Sequence, residues 1–277
     1  MIINTFFNPD EVIQYFLSPL FLASSLTELI YNMLIFKVIY TIIVFVAMLL
    51  MPAPYGRFTS RKYGFMISAK IAWMVQESPG FLVPLWLILF SSAEAWRSSI
   101  TNKILISYVL VHYFQRSFIY PALIRGGKPT PFVSFLNAVG ICGLNGLMQG
   151  LYLVNHTIYS SKWLLDPRFL LGSLLFFGGM AINIHSDSIL RKLRKPGQSG
   201  YKVPYGGAFK FVTAANYFGE ALEWNGFAIA TWSPTALVFA VFATLFLALR
   251  SERYQRFYKE KFEDYPKDRK IFLPFVW

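Results

Sequence analysis

Charged residues are scarce in this chain, and their scarcity excludes most soluble architectures. Only 14% of its 277 residues are Asp, Glu, Lys or Arg, against roughly 25% in a soluble globular domain. Apolar residues make up 55% and aromatic residues 18%. A water-soluble core cannot enclose so large an apolar share, so lipid must cover much of the surface. The composition therefore predicts an integral membrane protein.

Thiols and imidazoles are also nearly absent. There is one cysteine, Cys142, inside an apolar run, and the three histidines lack the spacing of metal ligands. A single thiol excludes an internal disulfide, and this sparse set argues against a metal site, so we expect no metal. The first basic residue is Lys37, so the start of the chain lacks the basic region of a signal peptide.

Long apolar runs, by contrast, are abundant. A membrane span needs about 20 mostly apolar residues. We predict an all-α integral membrane protein of about seven transmembrane helices, at residues 26–51, 79–96, 104–124, 132–157, 168–190, 208–230 and 234–250. Residues 65–78 are helical in pattern and extend the second span if Ser78-Pro79-Gly80 does not interrupt it.

The basic residues lie unevenly around these spans. Loops 52–64, 125–130 and 191–207 and the tail 250–277 hold 18 Lys and Arg residues, whereas the opposite side holds 4. Because basic residues favour the cytoplasmic side, we expect the tail in the cytoplasm and the N-terminus outside. An odd number of spans agrees. The net charge of +12 then serves topology, lipid headgroups or a phosphorylated cofactor rather than nucleic acid.

Ionisable side chains inside the predicted spans are candidates for function, because each costs roughly 2.5–3.5 kcal/mol at the centre of a membrane helix. Asn183 and Asp187 share one helix face, and Asn216, Glu220 and Glu223 form a stripe on another. These residues either make hydrogen bonds between helices or bind a polar ligand. The chain has no Gly-x-Gly-x-x-Gly or Walker loop, so helix ends and loops would have to hold any dinucleotide.

Several longer motifs resemble those of the steroid 5-alpha-reductases. They are GMAINIHSD with RKPG (179–187 and 194–197), ANYFGEALEW (215–224), RFY with FEDYPK (256–258 and 262–267), QESP (76–79) and HYFQR (112–116). The resemblance covers roughly residues 70–277. We therefore predict a single membrane domain, 1–277. Residues 1–65 form an N-terminal segment with the first span, and residues 66–277 form a catalytic region with cytoplasmic loops 191–207 and 250–277.

The resemblance implies that the chain uses NADPH to saturate the carbon–carbon double bond of a 3-keto steroid enone. Residues at the positions where the family binds the cofactor are Asn183, Asp187, Arg194, Tyr201, Lys202, Asn216, Arg250, Tyr258 and Arg269. We add Lys195, a neighbouring cation suited to the extra phosphate of NADPH, and Glu220 of the second motif. Trp73, Glu77 and Tyr113 occupy the positions that bind the steroid ketone.

The chemistry is a conjugate addition. Hydride reaches the β carbon, negative charge gathers on the ketone oxygen, and a proton then reaches the α carbon, so the protein must polarise the carbonyl and exclude water. As catalytic residues we expect Tyr113 to donate a hydrogen bond to the ketone and Glu77, kept neutral by burial, to support it. The apolar steroid would enter from the lipid and the charged cofactor from the cytoplasm. We expect a monomer.

Other functions remain open at this point. A transporter or channel would be expected to have internal repeats, and we find none. A membrane methyltransferase of the isoprenylcysteine type has a similar C-terminal architecture and would bind S-adenosylmethionine instead of NADPH. Related reductases act on other lipid enones or on enoyl thioesters.

Overall fold

A computed structural model describes residues 8–193 and 201–277, and long helices dominate both parts. The seven long helices are α1 (Leu26–Leu50), α2 (Ala69–Phe90), α3 (Ile100–Phe114), α4 (Phe132–Gly150), α5 (Pro167–Lys192), α6 (Ala215–Thr231) and α7 (Pro234–Lys261). Two-residue strands, β1 (Met66–Ile67) and β2 (Thr130–Pro131), form one antiparallel pair. The all-α prediction is confirmed.

Shorter helical turns complete the described secondary structure. They are Pro9–Val12, Ile13–Leu17, Ser18–Leu20, Gly56–Phe58, Arg61–Tyr63, Glu94–Ser98, Ser161–Leu165 and Gly207–Lys210. Side-chain caps mark where several long helices begin: Ser25, Ser68, Ser99, Asp166 and Ser233 each accept a hydrogen bond from a backbone N–H of the first turn.

Within residues 8–193 and 201–277, five helices are long and apolar enough to cross a membrane. They are α1, α2, α4 with its extension to His156, α5 and α7. Large apolar side chains on α1 face outward, with Ile43 61% and Leu50 78% exposed, as expected of a surface that lipid covers. The remaining two predicted spans correspond to α3 and α6, which are shorter, with 15 and 17 residues.

Three predicted helix boundaries are wrong. The second span was expected at 79–96, with residues 65–78 extending it if Ser78-Pro79-Gly80 did not interrupt it. α2 begins at Ala69 and runs through Pro79 and Pro84, so the extension is confirmed, but the helix ends at Phe90 rather than 96. Membrane helices tolerate proline where neighbouring helices satisfy the freed backbone groups. The sixth helix begins at Ala215 rather than 208, after a 3₁₀ turn.

The third wrong boundary lies in the tail. Residues 250–277 were expected to form a cytoplasmic loop, yet α7 continues to Lys261. Its last turns are amphipathic, and Arg256 and Glu252 pair four residues apart along the helix. Arg253 donates to the carbonyls of Met48 and Leu49, at 3.3 Å and 2.9 Å. The tail helix therefore anchors the end of α1.

Two of the long helices contain a π turn. α3 continues through Gln115–Ile119 into Tyr120–Leu123, and α4 continues through Leu151–His156. π turns inside α-helices occur frequently at functional sites because they change the direction of the side chains that follow. The π turn of α3 contains Arg116, which is central to the site described below.

α5 and α6 pack with their backbones in contact. A Cβ atom added to Gly179 would lie 2.4 Å from the backbone nitrogen of Glu223, and one added to Gly219 would lie 2.5 Å from that of Asn183. Small residues allow membrane helices to approach this closely. The approach places the polar faces of the two helices side by side.

Candidate active site

The two polar stripes expected from the sequence meet between α5 and α6. The side-chain amide of Asn183 donates to the carbonyl of Asn216 at 2.9 Å and approaches Glu220 Oε2 at 3.5 Å. Asn183 and Asp187 are both buried. The close helix packing therefore gathers four of the predicted cofactor residues in one place.

Arg116 supplies positive charge to this cluster from α3. Its Nη1 atom lies 3.1 Å from Asp187 Oδ2, and its Nη2 atom lies 3.9 Å from Glu220 Oε2. The guanidinium also lies 4.4 Å from the ring centre of Tyr120 and 4.9 Å from that of Trp73. Buried charges are tolerated when paired in this way, so the two carboxylates are compensated within the protein.

Glu223 has a different partner. His112 Nδ1 and Glu223 Oε1 are 2.7 Å apart, and both side chains are buried. The ring of Trp224 lies 4.4 Å from the imidazole. For Glu223 the structure thus favours a hydrogen bond between helices, one of the two alternatives that the sequence left open.

A pocket opens beside this cluster, enclosing about 800 Å³ of empty space that includes open solvent. The predicted residues Trp73, Asp187, Asn216 and Arg250 line it. It also has lining residues that sequence reasoning missed, among them Tyr55, Lys128, Arg191 and Tyr217. The pocket therefore combines carboxylate, amide, cationic and aromatic groups.

Loops 52–64 and 125–130 both contribute lining residues to this pocket, and hydrogen bonds hold the two loops together. Thr59 Oγ1 donates to the carbonyl of Pro129 at 2.8 Å, and Lys128 Nζ donates to the carbonyl of Arg57 at 3.5 Å. The pairing of β1 with β2 joins the same two segments. The pocket is thus partly built by the N-terminal region, in which the sequence showed no family motif.

Arg250 lies at the back of the pocket with an unused donor. Its Nε atom donates to Tyr217 at 3.2 Å, and its guanidinium lies 3.7 Å from the ring centre of Tyr55. Nη1 is buried and has no hydrogen-bond partner among the described residues. Burial raises the pKa of Tyr55 to about 12, although the charge of Arg250 acts in the opposite direction. Tyr55 is therefore a neutral donor at physiological pH.

A second cationic group, Arg57 of loop 52–64, lies next to the pocket and packs against the tail. The guanidinium of Arg57 lies between two rings, 3.4 Å from the ring centre of Tyr201 and 3.2 Å from that of Phe257. Its three nitrogens are buried and make no hydrogen bond of standard geometry with any described residue. Burial lowers the pKa of Arg57, while nearby tyrosines, first Tyr258, raise it.

The other predicted tail residues surround this group. Tyr258 stacks on Tyr265 with ring centres 5.6 Å apart. Arg269 donates to the carbonyl of Pro204 at 3.1 Å, and its Nε has no partner within the described chain. Lys202 is exposed. Arg194 and Lys195 lie outside the described residues.

Glu77 and Tyr113 form a separate, deeper site against α4. Cys142 Sγ contacts Glu77 Oε2 at 3.4 Å, and Asn145 Nδ2 donates to the Tyr113 hydroxyl at 2.9 Å. Cys142 and Asn145 are three residues apart, so they lie on one face of the helix. The two predicted catalytic residues are therefore neighbours along α4.

Gly80 makes room for the Tyr113 ring. A Cβ atom at Gly80 would lie 2.3 Å from Tyr113 Cε1, so any larger residue would clash with the ring in this position. A Cβ at Gly146 would lie 3.0 Å from Gly80 Cα, so α2 and α4 also approach closely here. These glycines give the ring its position between three helices.

Lys37 is the intramembrane charge that sequence reasoning overlooked, although it is the only basic residue in its predicted span. It is 1% exposed at the middle of α1, and its amine lies 3.5 Å from the ring centre of Phe242. The amine has no hydrogen-bond partner in the described part of the chain. It is close enough to Cys142 for an electrostatic interaction.

Comparison with known proteins identifies the family of this chain. Residues 128–277 match the family described as 3-oxo-5-alpha-steroid 4-dehydrogenase. The chain is 49% identical over 236 residues to 3-oxo-5-alpha-steroid 4-dehydrogenase 1 of Bos taurus, covering 85% of this chain and 92% of the relative. It is 48% identical to the type 1 enzyme of Homo sapiens over 80% of this chain and 86% of the relative.

The type 2 enzyme of Homo sapiens is more distant, at 42% identity over 82% of this chain and 89% of the relative. The membrane-crossing helices and the family match together define a helical membrane oxidoreductase. The chain belongs to the steroid 5-alpha-reductase family and is more similar to the type 1 enzymes than to type 2. The resemblance stated from the motifs is confirmed.

Proposed function

We propose that this protein reduces the carbon–carbon double bond of a 3-oxo-4-ene steroid with NADPH. The observation that carries the proposal is the 49% identity to a 3-oxo-5-alpha-steroid 4-dehydrogenase over most of both chains. It is supported by two adjoining sites of different character: a deep one around Glu77 and Tyr113, and a polar pocket with free cationic donors. A two-substrate reduction needs both.

The deep site suits the steroid ketone. Tyr113 is 2% exposed and Glu77 is partly buried, with apolar helices around them. A hydroxyl donor in a water-poor site stabilises the negative charge that gathers on the ketone oxygen, because little competing solvent is present. Tyr113 donates to this oxygen, Glu77 assists, and Trp73 lies at the junction with the pocket.

The polar pocket and tail suit a dinucleotide. Arg57, Arg250 and Arg269 have buried nitrogens that make no hydrogen bond of standard geometry with a described residue. Such donors call for an anionic ligand, and guanidinium groups bind phosphate through paired N–H donors. Asn183, Asp187, Asn216 and Glu220 offer amides and carboxylates for ribose and carboxamide groups. Arg194, Lys195 and Lys202 add cations, and Tyr201 and Tyr258 add ring faces. When bound, NADPH supplies the hydride.

The arrangement in the membrane follows from the same division. We propose that α3 and α6 also cross the bilayer, which gives seven spans with the N-terminus outside and the tail in the cytoplasm. The cofactor pocket then opens to the cytoplasm, where the basic loops lie, and the steroid enters the deep site from the lipid between helices. The protein works as a monomer in this arrangement.

The decisive experiment measures reduction of a 3-oxo-4-ene steroid by NADPH in membranes containing the protein. Tyr113→Phe removes only the hydroxyl and should lower kcat on the order of 100- to 1,000-fold, as for loss of an oxyanion donor. Glu77→Gln retains one donor and should be milder than Glu77→Ala. NADPH binding should change little in all three variants, because neither residue lines the cofactor pocket.

Tyr40→Phe is the matched control. Tyr40 also makes a 2.9 Å hydrogen bond to an asparagine of α4, Asn137, but lies near the surface. This variant should retain full activity. Near-normal turnover in Tyr113→Phe would remove that residue from the mechanism, and failure of the unmodified protein to oxidise NADPH with any such steroid would overturn the proposed function.

A further inference from the structure

Tyr113 stands at the end of a chain of buried hydrogen bonds that crosses three helices. Asn145 Nδ2 donates to the Tyr113 hydroxyl at 2.9 Å, and Gln149 Nε2 donates to Asn145 Oδ1 at 3.0 Å. The same Gln149 nitrogen donates to the backbone carbonyl of Thr235 at 3.1 Å. Thr235 Oγ1 donates to Gln149 Oε1, also at 3.1 Å. The chain thus runs from the first turn of α7 through α4 to α3.

The direction of this chain is determined by the one group in it that cannot be reversed. A backbone carbonyl only accepts, so the Gln149 group that meets Thr235 must be the NH₂. That same NH₂ meets Asn145, so Asn145 must present its oxygen there. The amide nitrogen of Asn145 is then left to face Tyr113. Reversing either amide would bring two acceptors or two donors together.

Burial prevents the reversal. Asn145 and Gln149 are each 1% exposed, Tyr113 is 2% and Thr235 is 0% exposed. No bulk water is available at this depth to satisfy a misdirected amide, and an unmade hydrogen bond in such surroundings is expensive. Each amide of the chain is therefore held in one orientation.

The consequence falls on the proton of Tyr113. A phenol oxygen that accepts a hydrogen bond from Asn145 keeps its own proton for a different partner. Within the described residues the hydroxyl makes this one hydrogen bond. Its proton is therefore available to a ligand, while the donor from Asn145 stabilises negative charge on the phenol oxygen as the proton is drawn away.

We propose that Asn145 is a positioning residue that keeps the Tyr113 proton directed at the substrate ketone, with its own amide oriented by Gln149 and Thr235. This inference rests on the proposed function, because it requires Tyr113 to be the donor to the ketone. Asn145 does not contact the reacting atoms. It acts by holding the donor in the productive direction before the substrate arrives.

Two substitutions at Asn145 distinguish its role in directing the Tyr113 proton from its role in filling space between the helices. Asn145→Leu fills similar space and removes both polar atoms. Asn145→Asp has nearly the shape of asparagine: protonated, it accepts from Gln149 and donates to Tyr113, as asparagine does. Ionised, it only accepts, and it draws the Tyr113 proton toward itself and away from the ketone. The aspartate variant should therefore be active at low pH and lose activity as the pH rises.

The titratable groups around this point are present in both the variant and the unmodified protein. They are Glu77 from α2, Cys142 from α4 and Glu220 from α6, all of which interact electrostatically with Tyr113, and Lys37 from α1 beside Cys142. His112 of α3, paired with Glu223 of α6, also lies close, with its ring centre 5.0 Å from that of Tyr113. Their ionisation affects both proteins alike. The diagnostic quantity is therefore the difference between the two pH profiles.

The experiment measures kcat and KM for steroid reduction at saturating NADPH from pH 5.5 to about 9.5, a range that covers most buried carboxyl groups, whose pKa values reach about 8–9. Asn145→Leu should lower kcat about tenfold or more, the value of one good hydrogen bond, with little change in NADPH affinity. The kcat of Asn145→Asp should approach that of the unmodified protein at pH 5.5. Its pH profile should show one additional ionisation, and turnover should be lost at pH values above that ionisation. Asn137→Asp, on the same helix, should have an unaltered profile because Tyr40 donates to Asn137.

Combining substitutions distinguishes this inference from the proposed function. Asn145→Leu added to Tyr113→Phe should cause no further loss, because both act through one proton. If Tyr113→Phe is impaired but Asn145→Asp has the profile of the unmodified protein, or is equally impaired at every pH, Asn145 does not direct the proton and only this inference fails. If Tyr113→Phe is normal, the proposed ketone donor itself is wrong. Should Asn145→Leu not fold, the profile of Asn145→Asp decides alone.

Discussion

At the scale of single residues, the buried charges of this protein fall into two groups. Arg116 is paired with Asp187 and Glu220, and His112 is paired with Glu223. Arg57 and Lys37, by contrast, are held against aromatic rings and make no hydrogen bond of standard geometry with a described residue. The charge of each paired group is compensated within the protein, whereas a buried cation without an acidic partner either receives an anionic ligand or lowers stability.

Arg57 is expected to bind the cofactor. Replacing it with leucine keeps an apolar side chain between Tyr201 and Phe257 but removes the guanidinium, so the Kd of NADPH should rise at least about tenfold, the value of a charge-assisted hydrogen bond. Fluorescence titration of the solubilised protein measures this. Arg61→Leu, at an exposed position of the same loop, is the control. Equal affinities for the two variants would exclude Arg57 from the site.

Lys37 should have the opposite effect, on stability. Burying an amine without a polar partner costs several kcal/mol, and a desolvated cation–π contact returns only about 2 kcal/mol. Lys37→Met keeps the length of the side chain without the charge and should raise the melting temperature in detergent. A lower melting temperature than that of the unmodified protein would mean that the amine has a stabilising partner.

At the scale of elements, the contact between α5 and α6 positions the cofactor residues. Asn183 and Asp187 on one helix reach Asn216 and Glu220 on the other only because the backbones touch at small residues. A shift of about 1 Å between the helices would separate the 2.9 Å hydrogen bond from Asn183 to Asn216. The packing of α5 against α6 therefore determines the geometry of the cofactor residues.

Adjacent glycines of α5 test this interface. Gly179→Ala places a Cβ 2.4 Å from the backbone of Glu223, whereas a Cβ at Gly178 meets nothing within 4 Å. We expect Gly179→Ala to cost about 1–3 kcal/mol, the usual penalty for overpacking, and to weaken NADPH binding. Gly178→Ala should be neutral or slightly stabilising because alanine favours helices. Thermal unfolding compares the two, and equal melting temperatures would contradict the packing described.

At the scale of the whole molecule, the proposed topology separates the sources of the two substrates. Apolar side chains cover the outside of α1, while the basic loops and tail gather at the pocket. A charged cofactor cannot cross the bilayer, and a steroid dissolves in it. One protein can therefore receive both only if its two sites open to different media.

Cysteines introduced at Ser24 and Asp264 test the topology. Both positions are exposed, at opposite ends of the proposed seven-span arrangement. In intact cells an impermeant thiol reagent should label Ser24→Cys from outside and Asp264→Cys only after the membrane is opened. Cys142 lies within α4 and serves as the unlabelled background. Labelling of both introduced cysteines from one side would require an even number of spans.

Much of this protein was determined by the sequence alone. Membrane insertion, the all-α class and the family follow from local composition and from motifs such as ANYFGEALEW, because lipid selects for long apolar helices whatever their partners are. The sequence predicted that Asn183 and Asp187 share one helix face and that Asn216 and Glu220 share another, because helical periodicity depends only on spacing along the chain. The sequence left open whether α2 continues through Pro79 and did not indicate that α7 continues to Lys261, since both depend on neighbouring segments.

Only the tertiary structure decided which groups pair. Glu220 and Glu223 look alike in sequence, yet one lies beside Arg116 and the other is bonded to His112. In the region without a family motif, Tyr55 lines the pocket and Arg57 lies next to it, and both contact α7. Asn145 acquires its meaning from the carbonyl of Thr235, 90 residues away along the chain. Which side chains pair depends on the distances between helices, and the periodicity of a single helix does not predict those distances.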